Sequence, residues 1–245
     1  MIYRSDYGFQ KKSYWKIQNR KNLLCCLILN ALILVGCSSK QTDIKIDKMN
    51  RKTLFEAVNT GDVTHIVTLL KKKPFLDVKN NEGETPLMKA VYDHNNEIAI
   101  LLINAGADVN AQDKMLNSPF LYAGAEGNLE IVKLALNHGA NFEVYNRYGG
   151  TALIPAAEKG HLEVVKLLVN TANFPKDHIN NLRWTALLEA VLLSDGGSVH
   201  IDIVKALIAG GCNVNITDKY GVTPLGHAKK LGYTEMIKVL EQAGK

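Results

Sequence analysis

Short clusters of apolar residues recur along most of the chain at the spacing expected for one face of a helix. Residues 131–136 (IVKLAL) and 164–168 (VVKLL) are two of them, with apolar positions one, three and four apart. A segment with alanines at its centre, such as Ala123 or Ala156, precedes each cluster. The pattern predicts pairs of short helices, in which small residues on the first helix allow close stacking.

These pairs belong to an internal repeat. Its clearest markers are the tripeptides Thr85-Pro-Leu, Ser118-Pro-Phe, Thr151-Ala-Leu, Thr185-Ala-Leu and Thr223-Pro-Leu, spaced by 33, 33, 34 and 38 residues. An earlier copy has Leu54, Ala57 and Val58 in register, with Lys52 in the place of the threonine. Repeats of this length indicate stacked units that share one core. The predicted units are residues 51–79, 80–112, 113–145, 146–179, 180–217 and 218–245.

A polar turn precedes the Thr or Ser of each tripeptide, which we call the anchor. Gly83, Gly149 and Gly221 stand in these turns and can adopt the positive φ of a tight turn. An Asp or Asn five residues before the anchor can open the turn by bonding its own backbone. These residues are Asn80, Asp113, Asn146, Asn180 and Asp218. The pattern predicts a projecting turn, here called a finger, before each first helix.

Residues 51–245 closely resemble the ankyrin repeat family. The fullest copy is residues 146–169, NRYGGTALIPAAEKGHLEVVKLLV. The resemblance implies an all-α repeat solenoid of about six helix-turn-helix units with β-hairpin fingers, and a role in binding proteins. Gly106-Ala-Asp, Gly139-Ala-Asn and Gly211-Cys-Asn end second helices as in that family, so Cys212 takes the place of a small packed residue.

Several positions depart from the family pattern. No unit has the histidine that usually follows Thr-Pro-Leu, so a hydrogen-bonding link between units is missing. Leu116 and Arg183 replace finger glycines, and we expect those two fingers to be irregular. An insertion of about five residues, around 194–200 (SDGGSVH), separates the two helices of the fifth unit.

The N-terminal segment has the features of a targeting signal. Residues 23–35 (LLCCLILNALILV) form an apolar run too short to cross a bilayer as a helix. The run ends at Leu34-Val-Gly-Cys-Ser-Ser, which resembles the lipobox of bacterial lipoproteins. The resemblance implies a signal peptide over residues 1–36, acylation of Cys37, and a mature protein on the outer membrane facing the periplasm. An uncleaved signal anchor and a chance Gly-Cys remain the alternatives.

After such processing, Cys212 would be the remaining free thiol, because Cys25 and Cys26 leave with the signal peptide. Residues 37–50 are polar without a strong period and are interpreted as a tether between membrane and domain.

The net charge of +5 lies at the front of the chain. Residues 1–36 carry six basic residues against one acidic residue, and the rest of the chain is balanced. Nucleic acids are bound through clustered Lys and Arg, so the repeat region lacks the charge for a nucleic-acid partner.

No motif predicts an enzyme, a cofactor or a metal site: phosphate loops, zinc spacings and dinucleotide fingerprints are absent. Asp195, Ser198, His200 and Asp202 supply the residue types of a hydrolase or of metal ligands. A catalytic triad needs the imidazole to bond both partners. We interpret the cluster as a glycine-loosened insertion, with a hydrolase as the less favoured alternative.

Large apolar residues mark a candidate partner-binding surface. Met115, Tyr148, Leu182 and Tyr220 stand three residues before the anchor in successive units, at the finger tips. Trp184 follows Leu182 closely, and the resemblance places Tyr92 on the same concave face. Aromatic residues at such a surface are typical interface hot spots. The alternative is that the tip tyrosines pack against the neighbouring finger.

The sequence therefore predicts a lipid-anchored periplasmic adaptor, without catalytic residues, that binds a protein through its concave face. Exported bacterial ankyrin proteins include immunity factors that neutralise secreted toxins and accessory factors that support an exported enzyme. An envelope scaffold is a further alternative.

Overall fold

The computed structural model describes residues 53–244, which form twelve helices in six consecutive pairs. The targeting segment, Cys37 and the tether lie outside the described residues. The helices are α1 (residues 53–60), α2 (Val63–Leu70), α3 (Pro86–Tyr92), α4 (Asn96–Asn104), α5 (Pro119–Ala125), α6 (Leu129–Asn137), α7 (Leu153–Glu158), α8 (Leu162–Val169), α9 (Ala186–Leu192), α10 (Ser198–Ala209), α11 (Pro224–Leu231) and α12 (Thr234–Ala243).

One core runs through the whole stack, from Leu54 in α1 to Leu240 in α12. First helices contact first helices of the neighbouring units, and second helices contact second helices. The predicted alanines are fully buried where first helices meet, as at Ala90, Ala123 and Ala190. At Gly124 the approach is closer still, because an added Cβ would lie 2.7 Å from the Cβ of Ala152. Small residues therefore set how closely the units stack.

Each finger is a five-residue turn held by its Asp or Asn. In the third unit, Asp113 Oδ1 accepts hydrogen bonds from the backbone N–H groups of Met115 and Asn117. The Asp113 N–H donates to the Asn117 carbonyl at 2.9 Å and closes the turn. The other four fingers repeat this arrangement.

The expectation of β-hairpin fingers needs correction, since no strand occurs between residues 53 and 244. The Asp or Asn oxygen takes two of the backbone donors within each turn. A finger of five residues then forms one backbone–backbone hydrogen bond across its base. It is too short for the further hydrogen bonds that would make its two sides a pair of strands.

The expectation that Leu116 and Arg183 make their fingers irregular is wrong. Their φ angles are 59° and 66°, close to the 70° of Gly149 at the equivalent position. A left-handed conformation costs a residue with a side chain about 1 kcal/mol. The hydrogen bonds that Asp113 and Asn180 accept in these turns offset this cost.

Side chains in the loops after the second helices form hydrogen bonds between neighbouring units. Asp77 Oδ1 accepts from the backbone N–H of Asp108 at 2.9 Å, and Asn110 Oδ1 accepts from that of Asn141 at 2.7 Å. Asp177 Oδ1 accepts from Asn213 in the same way at 2.9 Å. Acidic and amide side chains in the loops after the second helices thus connect the units laterally.

The fourth unit breaks the capping pattern of the first helices. The Thr185 hydroxyl accepts from the Leu188 N–H at 3.2 Å, and Thr85, Ser118 and Thr223 cap their helices likewise. Thr151 is 2% exposed, and its hydroxyl has no partner. Pro155 lacks the N–H that equivalent residues donate to the anchor carbonyl, so α7 begins later, at Leu153.

We therefore expect Thr151→Val to raise the free energy of unfolding by about 1 kcal/mol, because it removes a buried hydroxyl without a partner and keeps the shape. Thr185→Val is the matched control and should lower that free energy by about 1 kcal/mol, because it removes a cap. Urea unfolding of both variants measures the difference. Equal losses in the two variants would contradict the assignment.

Candidate functional site

The finger-tip residues project into solvent. Met115, Tyr148 and Leu182 are 52%, 53% and 47% exposed, and Tyr220 is 77% exposed. The Arg147 guanidinium lies 4.9 Å from the centroid of the Tyr148 ring, and the Lys219 ammonium lies at the same distance from that of Tyr220. Each ring thus contacts a cation of its own finger and remains more than half exposed.

A groove of about 490 Å³ lies beside these tips and spans the third to fifth units. Tyr148 and Leu182 form one side, and residues of α5, α7 and α9 form the base. Tyr122, Pro155 and Glu189 line it from the same position of those three helices, four residues after the anchor. Their other neighbours in the groove include Glu126, Arg147, Glu158, Lys159 and Leu193.

The groove brings together two of the six residues that the sequence singled out, Tyr148 and Leu182. Met115 and Tyr220 are exposed at tips on either side of it and are not among its lining residues. Trp184 is half-buried at the base of the fifth finger, where its backbone closes the turn on Asn180.

Tyr92 also lies outside the groove lining and is braced within the protein. Its hydroxyl donates to Asp113 Oδ2 and accepts from Asn117 Nδ2, and its ring meets Tyr122 edge-on with centroids 4.5 Å apart. Burial and the bond to Asp113 raise the pKa of Tyr92. These contacts tie α3 to the next finger, so both hydroxyl partners of Tyr92 are internal.

Glu189 is the groove residue that the sequence interpretation missed. It is 5% exposed, and Oε1 accepts a hydrogen bond of 2.7 Å from Asn180 Nδ2. Burial and the nearby charge of Glu158 raise the pKa of Glu189 from 4.5 to about 7, while the bond from Asn180 acts in the opposite direction. Counting four residues from each anchor would have placed Glu189 beside Tyr122 and Pro155.

The raised pKa means that Glu189 binds its proton more tightly in the folded chain than in the unfolded chain. Below pH 4.5, Glu189 is protonated in both the folded and the unfolded chain and does not lower the free energy of unfolding. As the pH rises from 4.5 to about 7, the carboxyl ionises first in the unfolded chain, so the free energy of unfolding falls. The bond from Asn180 to Glu189 joins the finger to α9, as the bond between Asp218 and His227 joins the finger to α11 in the next unit.

The cluster at residues 195–202 does not assemble as a hydrolase site. His200 Nε2 lies 2.9 Å from the Glu158 carbonyl oxygen, and Nδ1 lies 3.9 Å from Asp195 Oδ1. Asp202 pairs with Lys205 instead. No hydrogen bond between Ser198 and His200 appears in the described residues, so the serine hydroxyl is not activated as a triad requires.

The insertion contacts the sixth unit through its backbone. It adds a turn to α10, and the Tyr233 hydroxyl donates to the Ser194 carbonyl at 2.7 Å. Gly196, at φ 73°, lies so close to the Tyr233 ring that a Cβ would come within 2.5 Å. The insertion thus connects the fifth unit to the sixth.

Cys212 lies buried near the end of the fifth unit, as expected for a small packed residue. Burial raises the pKa of its thiol to about 12, with a further contribution from Asp177. The thiol therefore stays protonated and unreactive at neutral pH.

Residues 53–244 contain no group of three or more His, Cys, Asp or Glu side chains placed to hold a metal ion. None of their helices has both the length and the apolar character required to cross a bilayer.

The fold and sequence are similar to those of known repeat proteins. Residues 17–113 and 120–218 match the family model described as ankyrin repeats in three copies. The ankyrin repeat protein YahD of Escherichia coli (strain K12) is 35% identical over 188 residues, which cover 77% of this chain and 94% of YahD.

Solved structures give the same result. An ankyrin repeat domain from Acinetobacter baumannii AYE is 48% identical with a TM-score of 0.76, covering 78% of this chain and 97% of the domain. The ankyrin repeat protein EF0377 is 43% identical with a TM-score of 0.76 over 78% and 98% of the two chains. The ankyrin repeat domain of Bcl-3, a member of the IkappaB family, is 26% identical with a TM-score of 0.68 over 78% and 85%. The protein belongs to the ankyrin repeat family.

Proposed function

We propose that this protein is an adaptor that binds a protein partner in the groove beside its fingers. The observation that carries the proposal is the pairing of an open groove of about 490 Å³ with the half-exposed side chains of Tyr148 and Leu182 along one side. Exposed apolar residues that adjoin one another on a surface mark interaction sites.

A protein fits this surface better than a small molecule does. Exposed apolar tips continue beyond the groove in both directions, to Met115 in the third unit and Tyr220 in the sixth. A partner that contacts all four tips must span four units. Central aromatic residues surrounded by polar ones carry most of the binding energy of such interfaces.

We further propose that Cys37 carries the lipid that anchors the protein in the bacterial envelope, at the outer membrane and facing the periplasm. The support is the lipobox-like sequence Leu34-Val-Gly-Cys after an apolar run. Residues 38–50 then give the repeat domain reach from the membrane. Several acyl chains together would hold it stably, because each buried methylene contributes about 0.8 kcal/mol.

A periplasmic adaptor meets exported proteins, and we propose that its partner is one of them. Neutralising a secreted toxin is the role we favour; it requires the groove to cover an active site tightly. Supporting an exported enzyme is the alternative, which leaves the active site open. The neighbouring gene separates the two, since a secreted lipase or other toxin indicates immunity and a peroxidase indicates an accessory role.

The groove is tested by Tyr148→Ala combined with Leu182→Ala. Truncation of central interface residues costs about 2 kcal/mol or more, so capture of the partner from envelope extract should weaken about thirtyfold. Both side chains are half-exposed, and folding should be unchanged by circular dichroism. The matched control is Val67→Ala with Val199→Ala, which truncates residues that are 37% and 50% exposed on second helices outside the groove. Equal capture by both double variants would contradict the groove.

A further inference from the structure

Three glutamates line the groove, and two of them have no cationic partner in the described residues. The third, Glu126, pairs with Lys159 at 2.7 Å. Glu158 and Glu189 form no ion pair in the described residues, and the Glu189 side chain has Asn180 as its one hydrogen-bond partner there. Glu189 Oε2 has no hydrogen bond within the described residues and is not itself fully buried, so it is open to the groove that Glu189 lines.

Aromatic and apolar groups line the same groove as these carboxyls. Tyr122 lines the groove from α5, and Tyr148 and Leu182 line it from the fingers. Arg147 already lies over the Tyr148 ring, which shows that a guanidinium fits against that ring. Of the groove's own cations, Lys159 is engaged by Glu126 and Arg147 by the tyrosine.

We propose that the groove receives an arginine side chain of the partner, with its guanidinium directed at Glu189 and Glu158 and its stem against Tyr122 and Leu182. The proposal rests on the proposed function and adds the chemistry of the partner. A buried carboxylate is stabilised by an opposite charge that also hydrogen-bonds to it. The raised pKa of Glu189 agrees with this, because a cation would return the carboxyl to its ionised form.

Arginine suits the site better than lysine. Its guanidinium is planar, presents several donors in a fixed geometry, stacks on aromatic rings and is weakly hydrated. Lysine would bring a strongly hydrated point charge into a groove with apolar walls.

The test uses the purified full chain in a nonionic detergent, with N-acetylarginine amide as the probe. Saturation-transfer difference NMR measures its dissociation constant. The matched ligand is N-acetylcitrulline amide, which has nearly the same shape and no charge. We expect citrulline to bind about tenfold more weakly, because the charged hydrogen bonds to the carboxyls are lost.

Glu189→Gln keeps the shape and the acceptor for Asn180, and should weaken arginine binding about tenfold. The control is Glu163→Gln, an exposed residue of α8 that pairs with Lys166 and should leave binding unchanged. Equal affinity for arginine and citrulline, no saturable arginine binding, or an unchanged Glu189→Gln variant would overturn the proposal.

The arginine measurement and the capture of the partner can fail separately, so the two outcomes are distinguishable. If arginine fails to bind, while the double variant Tyr148→Ala with Leu182→Ala no longer captures the partner, then protein binding in the groove is supported and the arginine proposal is wrong. If arginine binds as expected but that double variant keeps the partner, the proposed function falls instead.

Discussion

Replacing Leu168 with alanine is expected to lower the free energy of unfolding by about 2 to 5 kcal/mol. Leu168 is fully buried in α8, and α8 packs between α6 and α10 in the middle of the stack. The truncation leaves a cavity that neighbours on both sides cannot close. Each unit is stable largely through its neighbours, so urea unfolding followed by circular dichroism should shift strongly.

Leu167→Ala is the matched control for Leu168→Ala. Both are leucines of the same helix, but Leu167 is partly buried at the margin of the core. We expect a clearly smaller loss for Leu167→Ala. A loss as large as that of Leu168→Ala would contradict the orientation of α8 in which Leu168 faces the core and Leu167 lies at its margin.

Replacing Cys37 with alanine is expected to abolish fatty-acid labelling and membrane association together. Acylation in bacterial lipoproteins requires the thiol of the lipobox cysteine, and alanine offers no nucleophile. The measurement is metabolic labelling with a palmitate analogue, followed by fractionation of membranes from soluble protein.

Cys212→Ala is the control for this labelling, because Cys212 lies buried in the repeat domain with its thiol protonated. That variant should keep label and membrane association. If Cys37→Ala stays in the membrane fraction, an uncleaved signal anchor replaces the lipoprotein interpretation.

The helix pairs and the fingers could be predicted because the same sequence pattern recurs in several units. The spacing of the anchors located the helix pairs and the fingers, and Asp or Asn five residues earlier predicted the turn hydrogen bonds. The regular fingers at Leu116 and Arg183 could not be predicted, because backbone propensity favours glycine at a positive φ. The hydrogen bonds within each turn hold these two residues in that conformation. The late start of α7 follows from Pro155, whose missing N–H is a property of the sequence.

The site was predictable only in part. The exposure of Tyr148 and Leu182 could be predicted because the tip position is fixed relative to the anchor and their side chains have no core to fill. Glu189 was missed because a glutamate on a helix is ordinarily exposed, and its burial depends on neighbouring units. The hydroxyl contacts of Tyr92 could not be predicted, because its partners Asp113 and Asn117 lie in the next unit.

Site-specific photo-crosslinking in cells that naturally produce the protein tests the central claim most directly. A benzophenone amino acid at position 148 of the full chain should capture one protein on irradiation, and the same amino acid at position 182 should capture the same protein. Position 67, on an exposed residue of the second helix α2 in the first unit, should not capture it. No crosslink from the groove positions, or the same product from position 67, would contradict the account of this protein as an adaptor that binds through its groove.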